Sequence, residues 1–404
     1  MSSKLDNIFN SVIENSLFNE KQVLQANYNP DNISHRDSQI EQIASILAPV
    51  LRGEKASNLF LYGKTGTGKT LSVQYVSEEI LKRAKDMGIE IRIEYLNCKL
   101  KKVADTEYRI LAALIHKLGG EVAATGLPTG KVYDKFVDLI ENKKQLIILI
   151  FDEIDQAVKK ISDNFLYSLT RLNAELTKSQ ISLIGISNDV TFLENIDPRV
   201  RSSLGEEEII FPPYNAPQLL DILHERCKRA FKKGVLEEGV LQKCAAFAAR
   251  EHGDARRALD LLRVAGELAE RDGSKLITEN YIDSANKKIE KDKILAIIES
   301  EPTQFQNVLY SILQLTKERD KNNLGSFFTG DVYDSYQKVC LEGKSEVLTQ
   351  RRVSDIIAEI DMLGLINARV ISKGRHGRTR EIKLSIPSNL LIKAEAILKE
   401  SLNL

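Results

Sequence analysis

Residues 58–70 read NLFLYGKTGTGKT, a short apolar run followed directly by a glycine-rich octapeptide. The octapeptide, residues 63–70, fits the pattern GxxxxGK[ST] without a mismatch, and a helix-period segment over residues 69–85 follows it. Glycines at these positions let backbone N–H groups surround phosphate oxygens, and the N-terminus of the helix adds positive potential. The sequence therefore predicts a phosphate-binding loop, here called the phosphate loop, between a buried strand and a helix.

The phosphate loop is expected to bind ATP or ADP together with Mg²⁺. Lys69 is expected to reach the β- and γ-phosphates, and the hydroxyl of Thr70 is expected to contact the metal ion. The predicted nucleotide contacts of the loop are Gly63, Lys64, Thr65, Gly66, Thr67, Gly68, Lys69 and Thr70.

Two further apolar runs end in polar residues that suit the same site. Residues 146–155, LIILIFDEID, form a predicted buried strand that brings Asp152 to its carboxyl end, where it would hold Mg²⁺. Glu153 is then placed to polarise an attacking water. Residues 181–187 form another such strand, and Asn188 after it is expected to face the γ-phosphate or the water.

The pattern of residues 33–200 alternates helix-period segments with short runs rich in Ile, Leu and Val, which are typical of strands buried on both faces. The predicted strands are residues 58–62, 89–97, 146–152, 181–187 and 208–211. Pro212 and Pro213 interrupt this pattern, and the chain is helical in period from there to about residue 300. We therefore predict an α/β domain with a parallel sheet between helices over residues 1–212 and an all-α lid over residues 213–298.

Residues 299–404 are predicted to form a winged-helix domain. Three helix-period segments (residues 303–317, 329–341 and 349–363) precede two short strands (residues 365–372 and 379–386). Residues 367–383 contain six Lys and Arg residues but a single Glu, so positive charge is concentrated on the hairpin. This pattern indicates a DNA-binding hairpin.

The helix before the hairpin strengthens the DNA prediction. Val353, Ile356, Ile357, Ile360 and Leu363 form an apolar stripe at helical spacing, and Arg351 lies opposite that stripe. Small residues beside Arg351 would allow close approach to a groove. The predicted DNA contacts are Arg351, Arg352, Ser354, Lys373, Arg375, Arg378 and Arg380.

The motifs GKTGTGKT, LIILIFDEID, ISLIGISND, DPRVRSS and GDARRALD, in this order, resemble the AAA+ ATPases, specifically the archaeal origin-recognition initiators. These initiators are related to eukaryotic origin-recognition subunits and to the helicase-loading factor. The resemblance implies that Asn188 is the sensor 1 residue, that Arg256 is the sensor 2 arginine, and that Arg199 or Arg201 is an arginine finger. Tyr214 is also expected to contact the nucleotide.

The resemblance further implies a slow ATPase that acts as a switch during replication initiation. Its expected partners are double-stranded origin DNA, the replicative helicase and paralogous initiator subunits. It also implies that residues 29–39, with Ile33, His35 and Arg36, surround the adenine. A second DNA contact is implied within residues 98–145, which are long enough for two helices with a turn at Thr129-Gly130-Lys131.

The composition bears on nucleic-acid binding, membrane insertion and the cellular compartment. The chain has 57 Lys and Arg residues and 57 Asp and Glu residues, so any nucleic-acid surface must be local. The longest apolar run is far shorter than the ~20 residues that span a bilayer, and the N-terminus has no secretory signal pattern. Four scattered cysteines favour a reducing cytoplasm, and the resemblance to replication initiators implies association with the nucleoid.

Two other functions fit the same pattern. An AAA+ branch-migration or helicase-type motor can also end in a winged helix, and a winged-helix transcription regulator can carry an ATPase as a signalling module. A motor would form a closed hexameric ring, and a regulator would protect promoters instead of repeated origin elements.

Overall fold

The computed structural model describes residues 16–26, 28–30, 32–99, 106–123, 126–322, 327–372, 378–387 and 390–404. The chain forms two compact units, which divide between Ile282 and Asp283. The finer division at residues 212 and 298 stays a prediction. Among the described residues, no helix is both long enough and apolar enough to cross a membrane.

The first unit contains a five-stranded sheet in the order β2-β3-β4-β1-β5, and all of its strand pairs are parallel. The strands are β1 (Asn58–Tyr62), β2 (Ile91–Asn97), β3 (Leu146–Asp152), β4 (Gln180–Ser187) and β5 (Glu206–Ile210). All five predicted strands are therefore present, and the bounds of β1 and β3 are as expected. The other three differ by one or two residues at one end or both ends.

Helices cover both faces of this sheet, because successive side chains of each strand point to opposite faces. Leu59 and Leu61 pack into one apolar layer, and Phe60 and Tyr62 pack into the other. The helices of this part are α1 (Asp37–Leu47), α2 (Lys69–Met87), α3 (Glu107–Lys117), α4 (Thr129–Ile140), α5 (Ile154–Ile161), α6 (Asn164–Leu172) and α7 (Pro198–Leu204). The predicted parallel sheet between helices is confirmed.

A helical lid follows the two prolines after β5. Its helices are α8 (Ala216–Ala230), α9 (Val240–Arg250) and α10 (Ala255–Arg271). Asn215 begins α8 with a capping box, in which its side chain accepts from the Gln218 N–H and the Gln218 side chain accepts from the Asn215 N–H. The prolines keep residues 212–213 out of the sheet and the helix, so the lid starts as a separate layer.

The second unit has the predicted winged-helix architecture. Helix α11 (Glu279–Ser300) leads into it, and the unit continues with α12 (Thr303–Asn322), β6 (Phe327–Phe328), α13 (Thr329–Glu342), α14 (Gln350–Met362), β7 (Ile366–Ser372), β8 (Arg378–Leu384) and α15 (Leu391–Leu402). Strands β7 and β8 form the predicted antiparallel hairpin, and β6 pairs with the other edge of β8.

Two elements of this unit were absent from the sequence prediction. Strand β6 has two residues, which is too short to show an alternating pattern. Helix α15 does carry a signal, since Ala394, Leu398 and Leu402 lie four residues apart and are all buried in the core of the unit.

A substitution at Gly185 of β4 can test how tightly the residues of the sheet pack. A Cβ on Gly185 would lie 2.4 Å from the ring of Phe60 on the adjacent strand β1. We expect Gly185→Val to lower the free energy of unfolding by about 1–3 kcal/mol, because the ring is enclosed and cannot move aside freely. Gly130→Ala is the control, since that helical position has open space around it. Urea unfolding monitored by circular dichroism measures the difference, and equal urea midpoints for the two variants would contradict this expectation.

Candidate functional site

A cavity of about 440 Å³ opens in the first unit at the carboxyl ends of the parallel strands, where ligands of such sheets usually bind. Its lining combines the phosphate loop with the ends of β2, β3 and β4, the segment before α1, and the lid. The lining residues central to the argument are Gly66, Lys69, Asp152, Asn188, Tyr214 and Arg256.

Lys69 organises the phosphate loop in this structure. Its ammonium nitrogen donates to Gly63 O at 2.7 Å, to Lys64 O at 2.9 Å and to Asn188 Oδ1 at 2.9 Å. The residue is 5% exposed, and burial lowers the pKa of Lys69 to about 8. The loop lysine and the side chain after β4 are thus brought together, as the sequence predicts.

The left-handed backbone of the loop explains two of its glycines. Gly66 has φ +72° and Gly68 has φ +90°, a region that disfavours residues with a Cβ. The hydroxyl of Thr67 closes the turn by donating to Lys64 O at 2.8 Å. The loop residues from Thr65 to Thr70 thus line the cavity at the start of α2.

Thr70 and Asp152 form the candidate metal-binding pair. Thr70 Oγ1 donates to Asp152 Oδ2 at 2.8 Å, and the N–H of Glu153 donates to Asp152 Oδ1 at 2.9 Å. A hydroxyl and a carboxylate are hard oxygen donors, and Mg²⁺ is usually held by one or two carboxylates together with substrate phosphates. The donor set therefore fits Mg²⁺. Among the described residues, no cluster of three or more His, Cys, Asp or Glu side chains is arranged to hold a metal.

Sequence analysis missed Tyr95, which lies on β2 beside β3. Its hydroxyl donates to Asp152 Oδ2 at 2.6 Å, so the same carboxylate oxygen accepts from two neighbours. Burial, together with this hydrogen bond, raises the pKa of Tyr95. The sequence shows only a tyrosine in a strand, because the pairing of β2 with β3 is what places it next to Asp152.

Glu153 occupies an unusual backbone conformation directly after β3. Its φ of +54° and ψ of +45° lie in the left-handed region, which costs energy for a residue with a Cβ and is enriched at functional sites. Its Oε2 lies 3.4 Å from Lys99 Nζ, and the residue lines the cavity. The turn therefore presents the carboxylate beside Asp152.

The lid contacts the phosphate loop through the start of α10. Asp254 caps this helix by accepting from the N–H groups of Arg256 (2.8 Å) and Arg257 (3.3 Å), and Ala255 N donates to Gly66 O at 3.2 Å. A Cβ on Gly66 would lie 1.7 Å from Asp254 Oδ1. Burial raises the pKa of Asp254. This contact brings Arg256 to the cavity, and sequence analysis did not assign Asp254.

The segment before α1 contributes only partly to the cavity. Ile33 of this segment lines the cavity, as does Tyr214 from the connection to the lid. His35 lies outside the lining, with Nε2 3.0 Å from Asp221 Oδ2, and Arg36 is buried behind the phosphate loop. The expectation that residues 29–39 surround the adenine therefore does not extend to these two side chains.

The two arginine-finger candidates lie outside the cavity lining. Arg199 is bound to Asp197 in the first turn of α7, with Nη2 3.0 Å from Oδ2, and its side chain is 86% exposed. Arg201 lies 3.9 Å from Glu208 on β5 and is half-exposed. An arginine-finger role for either residue stays a prediction.

Helix α14 has the cap and most of the buried stripe that its periodicity predicts, and its predicted DNA contacts stay a prediction. Thr349 caps the helix by accepting from Arg352 N, and Arg351 and Arg352 are exposed. Arg352 lies 4.0 Å from Asp355. The buried stripe is Val353, Ile356, Ile357 and Ile360. Leu363, predicted as its last member, is exposed, because the helix ends at Met362 and the chain turns there.

Arg380 in the hairpin makes an internal contact that its predicted role did not include. Its Nη1 donates to Ser354 O at 2.7 Å, which joins β8 to α14 beside a cavity of about 380 Å³. Lys373 and Arg375 lie outside the described residues, as does the side chain of Arg378.

The interval proposed for a second DNA contact contains two helices, α3 and α4. Thr129, Gly130 and Lys131 begin α4 instead of forming a turn between helices. Residues 100–105 and 124–125 of this interval lie outside the described residues.

The fold and the cavity define a phosphate-loop ATPase of the AAA+ class joined to a winged-helix unit. Three family models match in succession: "AAA ATPase domain" over residues 33–184, "Cdc6 AAA+ ATPase-type lid domain" over residues 220–287, and "CDC6, C terminal winged helix domain" over residues 296–394.

Relatives match nearly the whole chain. It is 50% identical over 390 residues to the ORC1-type DNA replication protein of Pyrococcus furiosus, covering 95% of this chain and 91% of that protein. It is 48% identical over 388 residues to ORC1-type DNA replication protein 1 of Methanosarcina mazei, covering 96% of this chain and 92% of that protein. The chain therefore belongs to the ORC1-type DNA replication proteins, which confirms the resemblance to AAA+ replication initiators.

Solved structures agree with this assignment. The structure of the Aeropyrum pernix ORC1 protein in complex with DNA matches with a TM-score of 0.84 and 42% identity, covering 95% of this chain and 97% of that one. The Pyrobaculum aerophilum Cdc6p structure shares the fold, with a TM-score of 0.60 and 21% identity over 96% of this chain and 99% of that one.

The contact between the lid and the phosphate loop can be tested with two N-cap variants. Asp254→Ala removes both the cap of α10 and the contact with Gly66, whereas Asn215→Ala removes only the capping box of α8. We expect each variant to lose about 0.5–2 kcal/mol of unfolding free energy. Only Asp254→Ala should speed hydrogen exchange in residues 64–68. Equal exchange rates in the two variants would show that Asp254 does not hold the loop.

Proposed function

We propose that this protein is an ATP-dependent initiator that binds origin DNA and helps to recruit the replicative helicase, with slow ATP hydrolysis as a switch. The observation that carries the ATP-dependent part is the convergence of Lys69, Asn188, Thr70 and Asp152 on one cavity. The Aeropyrum pernix ORC1 protein was solved in complex with DNA, which supports the DNA-binding part.

In the proposed nucleotide site, the loop N–H groups hold the phosphates of ATP or ADP. Lys69 is already surrounded by oxygen acceptors, so incoming phosphate oxygens would replace some of these acceptors without a large movement of the ammonium group. Tyr214 and Ile33 would lie nearer the base and the sugar, because they line the cavity outside the loop. Thr70 and Asp152 would hold Mg²⁺, and the metal would neutralise charge on the phosphates.

Hydrolysis is assigned to groups around the expected γ-phosphate. Glu153 would accept a proton from the attacking water, and Asn188 would orient that water or a phosphate oxygen. Arg256 would approach from the lid, where Asp254 holds the start of α10 against the loop. Arg256 belongs to the lid and Lys69 to the phosphate loop, and both would bind the γ-phosphate. Loss of the γ-phosphate would therefore weaken the attraction between the lid and the loop.

The exposure of Arg199 and Arg201 supports a contact with another initiator subunit. Arginine is suited to phosphate because its planar group donates several hydrogen bonds at once. We propose that one of these two residues reaches the nucleotide of a paralogous neighbour.

The DNA-binding part rests on the exposed face of α14 and on the hairpin. Arg351 and Ser354 would face base edges, Arg352 would contact a phosphate, and Lys373, Arg375 and Arg378 would follow the backbone from the hairpin. We propose a different role for Arg380, because its hydrogen bond to Ser354 O holds the hairpin against α14. Double-stranded origin DNA is the proposed ligand, and footprinting of chromosomal DNA would distinguish repeated origin elements from promoters.

The ATP site is tested by a pair of variants. Lys69→Ala should abolish tight ATP binding, because the cation at the phosphates is lost. Glu153→Gln should bind ATP normally and lower the turnover number by about 10²–10⁴-fold. Lys82→Ala is the control, since this exposed lysine of α2 pairs with Glu79 on the same helix, away from the cavity lining. Calorimetry and phosphate release measure both effects, and normal turnover by the Glu153 variant would refute its assigned role.

Adjacent arginines allow a test of the DNA surface. Arg351→Ala should remove ~1–3 kcal/mol of discrimination between origin and random duplexes, because its base contact is lost. Arg352→Ala should weaken binding to both duplexes alike and reduce the slope of log K against log salt by about one. Fluorescence anisotropy over a salt series measures both. Equal losses on the two duplexes for Arg351→Ala would show that α14 does not read sequence.

A further inference from the structure

Arg36 is buried at the junction of three chain segments. The residue is 2% exposed and lies just before α1. Its guanidinium donates from Nε to Thr67 O at 2.8 Å, from Nη1 to His35 O at 3.1 Å and from Nη2 to Pro212 O at 2.6 Å. One side chain therefore binds the phosphate loop and the connection to the lid at the same time.

The charge of Arg36 has an unusual environment for a buried arginine. Within the described parts of the chain, no carboxylate pairs with it, and its neighbours are backbone carbonyls and two aromatic rings. The guanidinium carbon lies 3.8 Å from the ring centre of Tyr214 and 5.7 Å from that of Phe211. Burial lowers the pKa of Arg36, yet a guanidinium remains protonated in proteins. Withdrawal of any carbonyl would leave a buried charge less well solvated, which is strongly unfavourable.

The connection that Arg36 holds continues into the lid. Tyr214 N donates to Gly253 O at 3.3 Å, and a Cβ on Gly253 would lie 2.3 Å from Tyr214 O. The next residue, Asp254, meets the phosphate loop at Gly66. Movement of residues 212–214 would therefore shift the end of the lid that carries Arg256.

We infer that Arg36 is a positioning residue that links the phosphate loop to the connection between sheet and lid, so that nucleotide binding at the loop and the placement of Arg256 depend on each other. This inference rests on the proposed binding of ATP in the cavity. Arg36 itself is outside the cavity lining, so it acts through Thr67 and Tyr214 without touching the nucleotide.

Lysine would not replace Arg36 in this role. An ammonium group is a single point with three donors, whereas the planar guanidinium spreads its donors over several directions and stacks on an aromatic face. Arg36→Lys therefore keeps the positive charge but cannot bind Thr67 O and Pro212 O together while lying over Tyr214. Arg52→Lys is a matched control, because Arg52 is exposed and pairs with Glu54.

The test is a double-mutant cycle between Arg36→Lys and Arg256→Ala, with a non-hydrolysable ATP analogue as the probe. In the wild-type background we expect Arg256→Ala to weaken binding of the analogue by about tenfold, a typical size for coupled sites. In the Arg36→Lys background the same change should weaken binding by less than about threefold, since Arg256 is no longer held in place. In the Arg52→Lys background, Arg256→Ala should weaken binding of the analogue by about tenfold, as in the wild-type background.

Equal effects of Arg256→Ala in the Arg36→Lys and wild-type backgrounds would overturn the inference. A general loss of stability cannot imitate the expected result, because it would weaken binding without changing the effect of Arg256→Ala. If Arg36→Lys does not fold, the cycle is run with Arg36→Gln, which keeps one donor group and removes the charge. Failure of the wild-type protein to bind the analogue would instead refute the proposed ATP site, so the two failures are distinguishable.

Discussion

The buried ammonium group of Lys69 is the constraint on which the nucleotide site depends. A cation that is 5% exposed must be surrounded by oxygen acceptors, because an unsolvated charge is strongly unfavourable. Two acceptors come from the phosphate loop and the third is the side chain of Asn188. The third is available only because β1 pairs with β4, with Tyr62 beside Ser187. The strand order of the sheet and the shape of the loop thus depend on each other.

Close contacts also connect the lid to the phosphate loop. The carboxylate of Asp254 occupies the space that a Cβ on Gly66 would fill, and the backbone of Tyr214 lies against Gly253. These two glycines therefore allow the lid to pack closely against the phosphate loop and the connecting segment. Arg36 then joins the loop to Pro212 with a single side chain. The glycines permit close approach, and the buried guanidinium makes separation unfavourable. These contacts hold the lid against the phosphate loop, as the proposed nucleotide switch requires.

The second unit arranges charge around an apolar core. The buried stripe of α14 packs with the hairpin and α12, which leaves Arg351 and Arg352 on the exposed face. Arg380 looks like its neighbours in sequence, yet its guanidinium binds Ser354 O inside the unit. Basic residues of one hairpin can therefore differ in function, with some directed outward and another holding the hairpin to the helix.

The sequence by itself determined the features whose signal is local. The phosphate loop, the strands β1 and β3, the carboxylates Asp152 and Glu153, and the stripe of α14 each lie within a short segment with its own period or motif. Tertiary structure alone decided the partners of Tyr95 and Arg380, the bond of Arg36 to Pro212 O, and the contact of Asp254 with Gly66. Tyr95 is 57 residues from Asp152, and Arg36 is 176 residues from Pro212. A hydrogen bond across such a separation leaves no periodic pattern in the chain, because it exists only once the strands and the lid have come together.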